Sequence, residues 1–295
     1  MSEVVSARIK YKNKIKKTPG QRVLYAIVFV ILFAFSLSYV LAMLWGFIAG
    51  LNTNDGIILK PFAFPEKLMF YNYVEIFSKF VVNGVNYGGM LVNSIWLTLG
   101  GALIDVAVAA CLGYVTSKYN FRGAKLIHSI ALIVLIIPMY GSTAARYRLI
   151  YTLHLNDSPL YLITYTLAIG FEYLMTYSFF KSVPWTYAEA AFIDGANDFT
   201  VFFRIMLPQA LAPLSSLLVI QSIAIWNDYT TPLLYLKFRP TLATGLYLFG
   251  NVATMQGRLD LLIAGTMVSV IPVLVLFIAF NKTLLNETVA GGIKG

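Results

Sequence analysis

The sequence predicts an all-α integral membrane protein with six transmembrane helices. Three observations predict it. Of 295 residues, 59% are hydrophobic and only 12% are charged, whereas a soluble domain carries about 25% charged residues. Six apolar stretches, at about 23–49, 91–116, 126–145, 160–180, 210–227 and 261–280, approach or exceed the roughly 20 residues that cross about 30 Å of hydrocarbon. Lys and Arg are spread unevenly over the loops between them, as they are where charge fixes topology. Each stretch must be helical, because a lipid-exposed segment has to satisfy its own backbone hydrogen bonds.

Taken in order, residues 1–22 form a basic tail holding Arg8, Lys10, Lys12, Lys14, Lys16, Lys17 and Arg22. The first stretch is too long for a signal-peptide core and reads as a retained span. Residues 51–90 form the longest loop, with a turn signal at Asn54-Asp55-Gly56 and the aromatics Phe64, Phe70, Tyr71 and Tyr73. They are expected to make a partly folded cap. The second span opens at Asn93-Ser94 and carries Asp105 and Cys111, the single cysteine, which reads as a small packing residue. Pro138 and Pro272 are expected to kink the third and sixth spans, against neighbours that accommodate them.

With the N-terminus inside, fourteen Lys and Arg lie on the inner side and eight on the other. This places the tails 1–22 and 282–295 and the loop 181–208 in the cytoplasm, the loop 51–90 outside, and the six-span domain over 23–281. The net charge of +9 is accounted for by this topology rather than by nucleic acid.

The loop 181–208 is far more polar than the runs on either side, so it lies in water. Pro184 suits a first helical turn, and Thr186 with Glu189 has the spacing of a capping box. Ala188, Ala190, Ala191 and Ala196 give a slim face that another surface can approach closely. Gly195 can end the helix in a left-handed conformation. Asp198 is then expected to cap a second helix, 199–206, and Pro208 to stop it or begin the fifth span.

Glu189-Ala190-Ala191, three residues, Gly195, nine residues, Ile205, one residue, Leu207-Pro208 resembles the EAA signature of ABC importer permeases at every defining position. Asp194 and Ala196 fit its fuller form. Asn72-Tyr73, Asn93-Ser94 and Trp226-Asn227-Asp228 look like the carbohydrate branch, and Ala290-Gly291-Gly292-Ile293-Lys294-Gly295 is similar to the tail of MalG-type, maltose-type permeases. The resemblance implies a type I importer fold and a coupling helix held in a groove of a cytoplasmic ATPase subunit. Glu189 would meet a basic residue there, Ala190 and Ala191 would fill the groove, and Gly195 would allow the bend. The implied partners are a second homologous permease subunit, two copies of the ATPase, an external sugar-binding protein and membrane lipid. The implied cargo is a sugar, either a monosaccharide such as glucose or a maltose-type oligosaccharide.

The chain contains no G-x-x-x-x-G-K-[ST] loop. No cofactor is therefore expected on it, and ATP and Mg fall to the ATPase subunits. His128 and His154 are far apart without a partner set, so no metal site is expected, and no catalytic cluster is visible. Asp105 and Glu172 lie inside spans, where a charge costs about 2.5–3.5 kcal/mol on insertion scales. Two readings stay open for them, pathway lining and interhelical hydrogen bonding, with a proton relay as a third. Trp226 and Asn227 suit either a sugar ring or an interfacial anchor with a helix cap. The same fold carrying a non-sugar solute, and an ion-coupled secondary transporter, are the alternatives to sugar import.

Overall fold

The computed structural model describes residues 18–137, 143–166 and 169–291, in two compact units, Met1–Gly46 and Phe47–Gly295. Within the first unit runs nearly all of α1 (Pro19–Ala49). A true capping box starts this helix: Thr18 N donates to Gln21 Oε1 at 3.0 Å and Gln21 N donates to Thr18 Oγ1 at 3.3 Å, with Pro19 at the first helical position. Apolar side chains then occupy every face of α1, as a helix immersed in hydrocarbon requires.

The second unit opens with α2 (Asn54–Leu59), α3 (Asn72–Lys79) and a hairpin of β1 (Val81–Val82) and β2 (Val85–Asn86). Its central rod is α4 (Tyr87–Lys118), followed by α5 (Ala124–Ile136), α6 (Thr143–Thr152), a 3-10 helix (Pro159–Thr166) and α7 (Phe171–Ser182). Then come α8 (Thr186–Ile193), α9 (Asp198–Thr200), a π-helical segment (Val201–Met206), α10 (Leu207–Gln209) and α11 (Leu211–Asn227). The unit ends with α12 (Thr230–Tyr235), α13 (Leu242–Gln256) and α14 (Leu259–Gly291).

Small residues let α4 sit close to its neighbours. Thr176 of α7 donates its hydroxyl to the Ala109 carbonyl at 2.7 Å, and Tyr173 donates its own to Thr116 Oγ1 at 3.0 Å. Close backbone approach at small residues, locked by hydroxyl bonds, is how helices associate where no water drives them together.

The two ends of α4 carry different structures. Its start is held by α3, the hairpin, α13 and α14: Tyr87 donates to the Gly265 carbonyl at 2.6 Å, and Phe80 stacks on Phe249 with centroids 4.0 Å apart. Asn72, buried, donates to the carbonyls of Gly50 and Asn52, and Tyr73 donates to that of Phe47. The end of α4 packs into a second apolar cluster with Phe180, Ala188, Ala191, Phe202 and Met206.

Several expectations change here. The loop 51–90 is folded over most of its length, and Asn54-Asp55-Gly56 opens α2 rather than making a turn, because Thr53 Oγ1 accepts from Gly56 N at 3.2 Å. The true turn is Asn83-Gly84, with φ of 50° and 80°, the left-handed pair that hairpin twist favours. The third predicted stretch breaks: α5 stops at Ile136, Ile137 is extended, and α6 is a separate helix. The fourth divides into a 3-10 helix and α7.

Among the described residues, three helices are long and apolar enough to cross a membrane, Pro19–Ala49, Tyr87–Lys118 and Leu259–Phe280. A fourth crossing forms if Asp198–Gln209 and Leu211–Asn227, bent by 74°, count as one. Pro272 lies inside α14; Pro138, residues 1–17 and residues 292–295 lie outside the described residues.

Candidate functional site

The segment that joins α7 to α11 is built as a helix, a locked turn and a second helix. The start of α8 differs from the sequence reading. Trp185 occupies the N-cap position without a side-chain bond, Thr186 is already helical, and no capping box forms. Its end follows the expectation at Gly195, whose φ is +83°. Gly195 N donates to the Phe192 carbonyl at 3.0 Å, and Ala196 N donates to that of Ala191 at 2.9 Å. This pair of bonds is the Schellman arrangement.

The next cap is shifted by one residue. Asn197, not Asp198, caps α9, its Oδ1 accepting from Thr200 N at 2.8 Å. Asp198 is occupied elsewhere: its Oδ1 accepts from the Tyr119 hydroxyl at 2.6 Å. Burial, aided by this bond, pushes the Tyr119 phenol above its ordinary value. Beyond α9 the backbone widens into π geometry, with Leu207 N donating to the Phe202 carbonyl. Such bulges are rare and concentrate at functional sites. Pro208 falls in α10, where it has no N–H to give, and the Gln209 side chain takes the Ile205 carbonyl at 2.9 Å. The chain then turns into α11.

The signature residues separate into two sets. Glu189, Ala190, Asp194, Gly195 and Pro208 are exposed, and beside them Ile193 and Phe199 are 86% and 75% exposed. Ala191 is buried with Ala188 against Phe180 and Met206, and Ile205 and Leu207 are half-buried on the same cluster. Ala191 is therefore spent inside this chain and is closed to a partner's groove. Among the described residues, Glu189 makes no ion pair. Replacing Gly195 by Ala is expected to destabilise the loop by about 1–2 kcal/mol: a Cβ there meets nothing within 4 Å, so the cost is backbone strain alone. Thermal unfolding should show a smaller loss for Gly195→Asn, since Asn tolerates left-handed geometry.

The candidate pathway residues are not brought together. Glu172 accepts from Gln221 Nε2 of α11, and Asp105 is buried on α4. Glu172 and Gln221 thus form an interhelical pair between α7 and α11. Asn93 donates to the Pro240 carbonyl at 3.0 Å, and its neighbour Ser94 accepts from Leu242 N at 2.7 Å, tying α4 to the start of α13. Trp226 donates to the Ser269 carbonyl at 3.2 Å, and Asn227 to that of Ile223, one turn back on its own helix. Trp226 also borders a cavity of about 140 Å3 with Ile95, Thr98, Ser222 and Pro272. The adjacent Asp228 accepts from Thr230 N and Thr231 N, the helix-cap role.

Sequence reasoning passed over Gln221, which was legible as the amide in the middle of an apolar stretch. It also passed over Tyr119, which no periodicity marks. Among the described residues no group of His, Cys, Asp and Glu could hold a metal ion.

A model of the family described as binding-protein-dependent transport system inner membrane component matches residues 108–285. The chain is 26% identical over 270 residues to the diacetylchitobiose uptake system permease protein NgcG of Streptomyces coelicolor, covering 90% of this chain and 88% of that protein. It is 26% identical over 231 residues to the arabinooligosaccharides transport system permease protein AraQ of Bacillus subtilis, covering 78% and 81%. The melibiose/raffinose/stachyose import permease protein MelC of the same species is 23% identical over 239 residues, covering 80% and 85%. Among solved structures, a chain of a bacterial ABC transporter involved in the import of the acidic polysaccharide alginate superimposes with a TM-score of 0.74 at 20% identity, over 90% of this chain and 98% of that one.

Proposed function

The chain belongs to the family of binding-protein-dependent transport system inner membrane components, and from that premise we propose that it forms half of the translocation pathway of an ATP-driven sugar importer. It is a multi-pass membrane protein. Six crossings, cytoplasmic tails at 1–22 and 282–295 and a cytoplasmic 181–208 loop complete the reading. They are supported by the hydropathy and by the distribution of Lys and Arg.

The observation that carries the proposal is the exposed face of α8, with Glu189, Ala190 and Ile193 held outward by a buried Ala188–Ala191 face and a Schellman-capped turn. A short helix, rigid at its end and carrying Ala190 and Ile193 beside one carboxylate on its outer face, is suited to a groove on another protein. The groove belongs to an ATPase subunit, one of two copies, which bind ATP and Mg. Closure of the ATPase pair drives α8 and moves the spans. A second, homologous permease subunit supplies the other half of the pathway, and an external binding protein delivers the sugar. The diacetylchitobiose, arabino-oligosaccharide and melibiose-type cargoes named for the relatives favour an oligosaccharide over glucose. Glu172 and Gln221 then serve as an interhelical bond inside the pathway wall.

The test is uptake of labelled diacetylchitobiose, arabino-oligosaccharides, raffinose and maltose into vesicles that hold the complete complex. Uptake of at least one is expected to require hydrolysable ATP and to persist when the pH gradient is collapsed, in the native chain and in Asp105→Asn. Uptake driven by the gradient without ATP would replace this reading with an ion-coupled one.

A further inference from the structure

We propose that Lys118 and Tyr119 form a two-point clamp that fixes the coupling loop to α4, so that movement of α8 becomes movement of α4. This deepens the coupling reading above and rests on it. The two residues are consecutive, at the last position of α4 and its C-cap. They reach opposite flanks of α8. Lys118 Nζ donates to the carbonyl of Val183, the C-cap of α7 three residues before α8 begins. The Tyr119 hydroxyl donates to Asp198 Oδ1 at 2.6 Å, just past the turn that ends α8.

Between the two points the loop lies against the same aromatic surface. Trp185 meets the Tyr119 ring edge-to-face at 5.8 Å and stands 6.1 Å from Phe192 on α8. Tyr114, one turn back on α4, lies 4.8 Å from Phe202 of the π segment. A load applied to α8 therefore cannot tilt it about either end without breaking a polar bond or an aromatic contact to α4. That helix is a suitable lever: it is unbroken over 32 residues, about 48 Å at 1.5 Å per residue. It carries Asp105 along the way, and at its far end Asn93 and Ser94 tie it to α13. Lys118 and Tyr119 are positioning residues, since neither lies on the exposed face of α8 offered to the ATPase.

The test places a fluorophore at the far end of this lever. In the assembled complex, with Cys111→Ser and partner cysteines replaced, Val92→Cys provides a unique site on an exposed face of α4. ATP with Mg and vanadate, added without sugar, is expected to change its emission. Tyr119→Phe keeps the ring and loses only the hydroxyl. It should shrink that change about threefold, near the low end for a single hydrogen bond, with the ATPase bound and hydrolysing as before. Asp198→Asn on its own keeps both the Tyr119 donor and an Oδ1 acceptor, and should retain nearly the full change.

An undiminished signal in Tyr119→Phe, or no nucleotide-dependent signal in the parent, overturns the clamp. If Tyr119→Phe fails to assemble, Asp198→Ala removes the other partner and is read in the same way: a reduced signal supports the clamp and a full signal overturns it. Glu189→Lys separates the two levels. Loss of the ATPase there, with a full signal in Tyr119→Phe, sinks the clamp and leaves docking intact. An ATPase that stays bound and drives the full signal in Glu189→Lys sinks the docking reading itself.

Discussion

Glu189→Lys is expected to lower binding-protein-stimulated ATP hydrolysis in the assembled complex at least about tenfold, the scale for reversing one member of a charge pair that becomes desolvated on contact. Within the chain this carboxylate only favours the first turn of α8, where it meets the positive end of the helix dipole. It is exposed, it makes no ion pair among the described residues, and its own backbone is already satisfied by the Trp185 carbonyl. The substitution costs the chain only about 0.3–1 kcal/mol of helix-dipole stabilisation, so the fold persists and the loss of hydrolysis reports the contact with a partner. Two measurements separate the cases: the amount of ATPase that copurifies, and hydrolysis per complex. A variant with normal copurification and normal stimulated hydrolysis would remove Glu189 from the coupling surface. Glu189→Gln keeps the shape and removes the charge, and is expected to fall between the two.

The same loop shows what a linear sequence discloses and what it hides. Gly195 was legible because only a left-handed residue lets the Schellman bonds close, and glycine is the residue that adopts it without strain. The exposure of Glu189 followed from its polarity between two apolar runs. The inward face was not legible in the same way: Ala190 and Ala191 are identical in sequence, and only packing on Phe180 and Met206 makes one a surface residue and the other core. The cap at Asn197 rather than Asp198 has a tertiary cause, since Tyr119 claims the Asp198 carboxylate from 79 residues away. Spans with long uniform hydropathy, such as α1, α4 and α14, were readable from composition alone. The third and fourth stretches were not, because apolar character does not distinguish a continuous helix from α5 and α6 in series, or a 3-10 helix followed by α7. Neither the hairpin at Asn83-Gly84 nor α13 stood out within loops that were read as connections.

Gly113→Ala should be the most damaging single methyl in the second unit. A Cβ at that position would lie 2.4 Å from Thr176 Oγ1, 2.7 Å from the Tyr177 nitrogen and 2.9 Å from the Thr176 carbonyl carbon. The last two are backbone atoms and cannot rotate away. Nor is the Thr176 hydroxyl free to move, because it donates to Ala109 across the interface and also lies 2.9 Å from the Tyr173 carbonyl. The helices α4 and α7 must therefore separate, which adds the strain of an overpacked core, about 1–3 kcal/mol, to the loss of a buried hydrogen bond, about 1–3 kcal/mol. Separation would also loosen the end of α4 that carries Tyr119. Gly250→Ala is the matching control. Its Cβ would touch Leu262 at 3.7–3.8 Å, an ordinary contact, and alanine gains about 1 kcal/mol over glycine inside a helix. Thermal unfolding of the complex in lipid nanodiscs should thus move in opposite directions for the two variants, down for Gly113→Ala and level or up for Gly250→Ala. Equal shifts would mean that α4 and α7 are not pressed together at Gly113, and the close-packed rod on which the coupling argument depends would have to be abandoned.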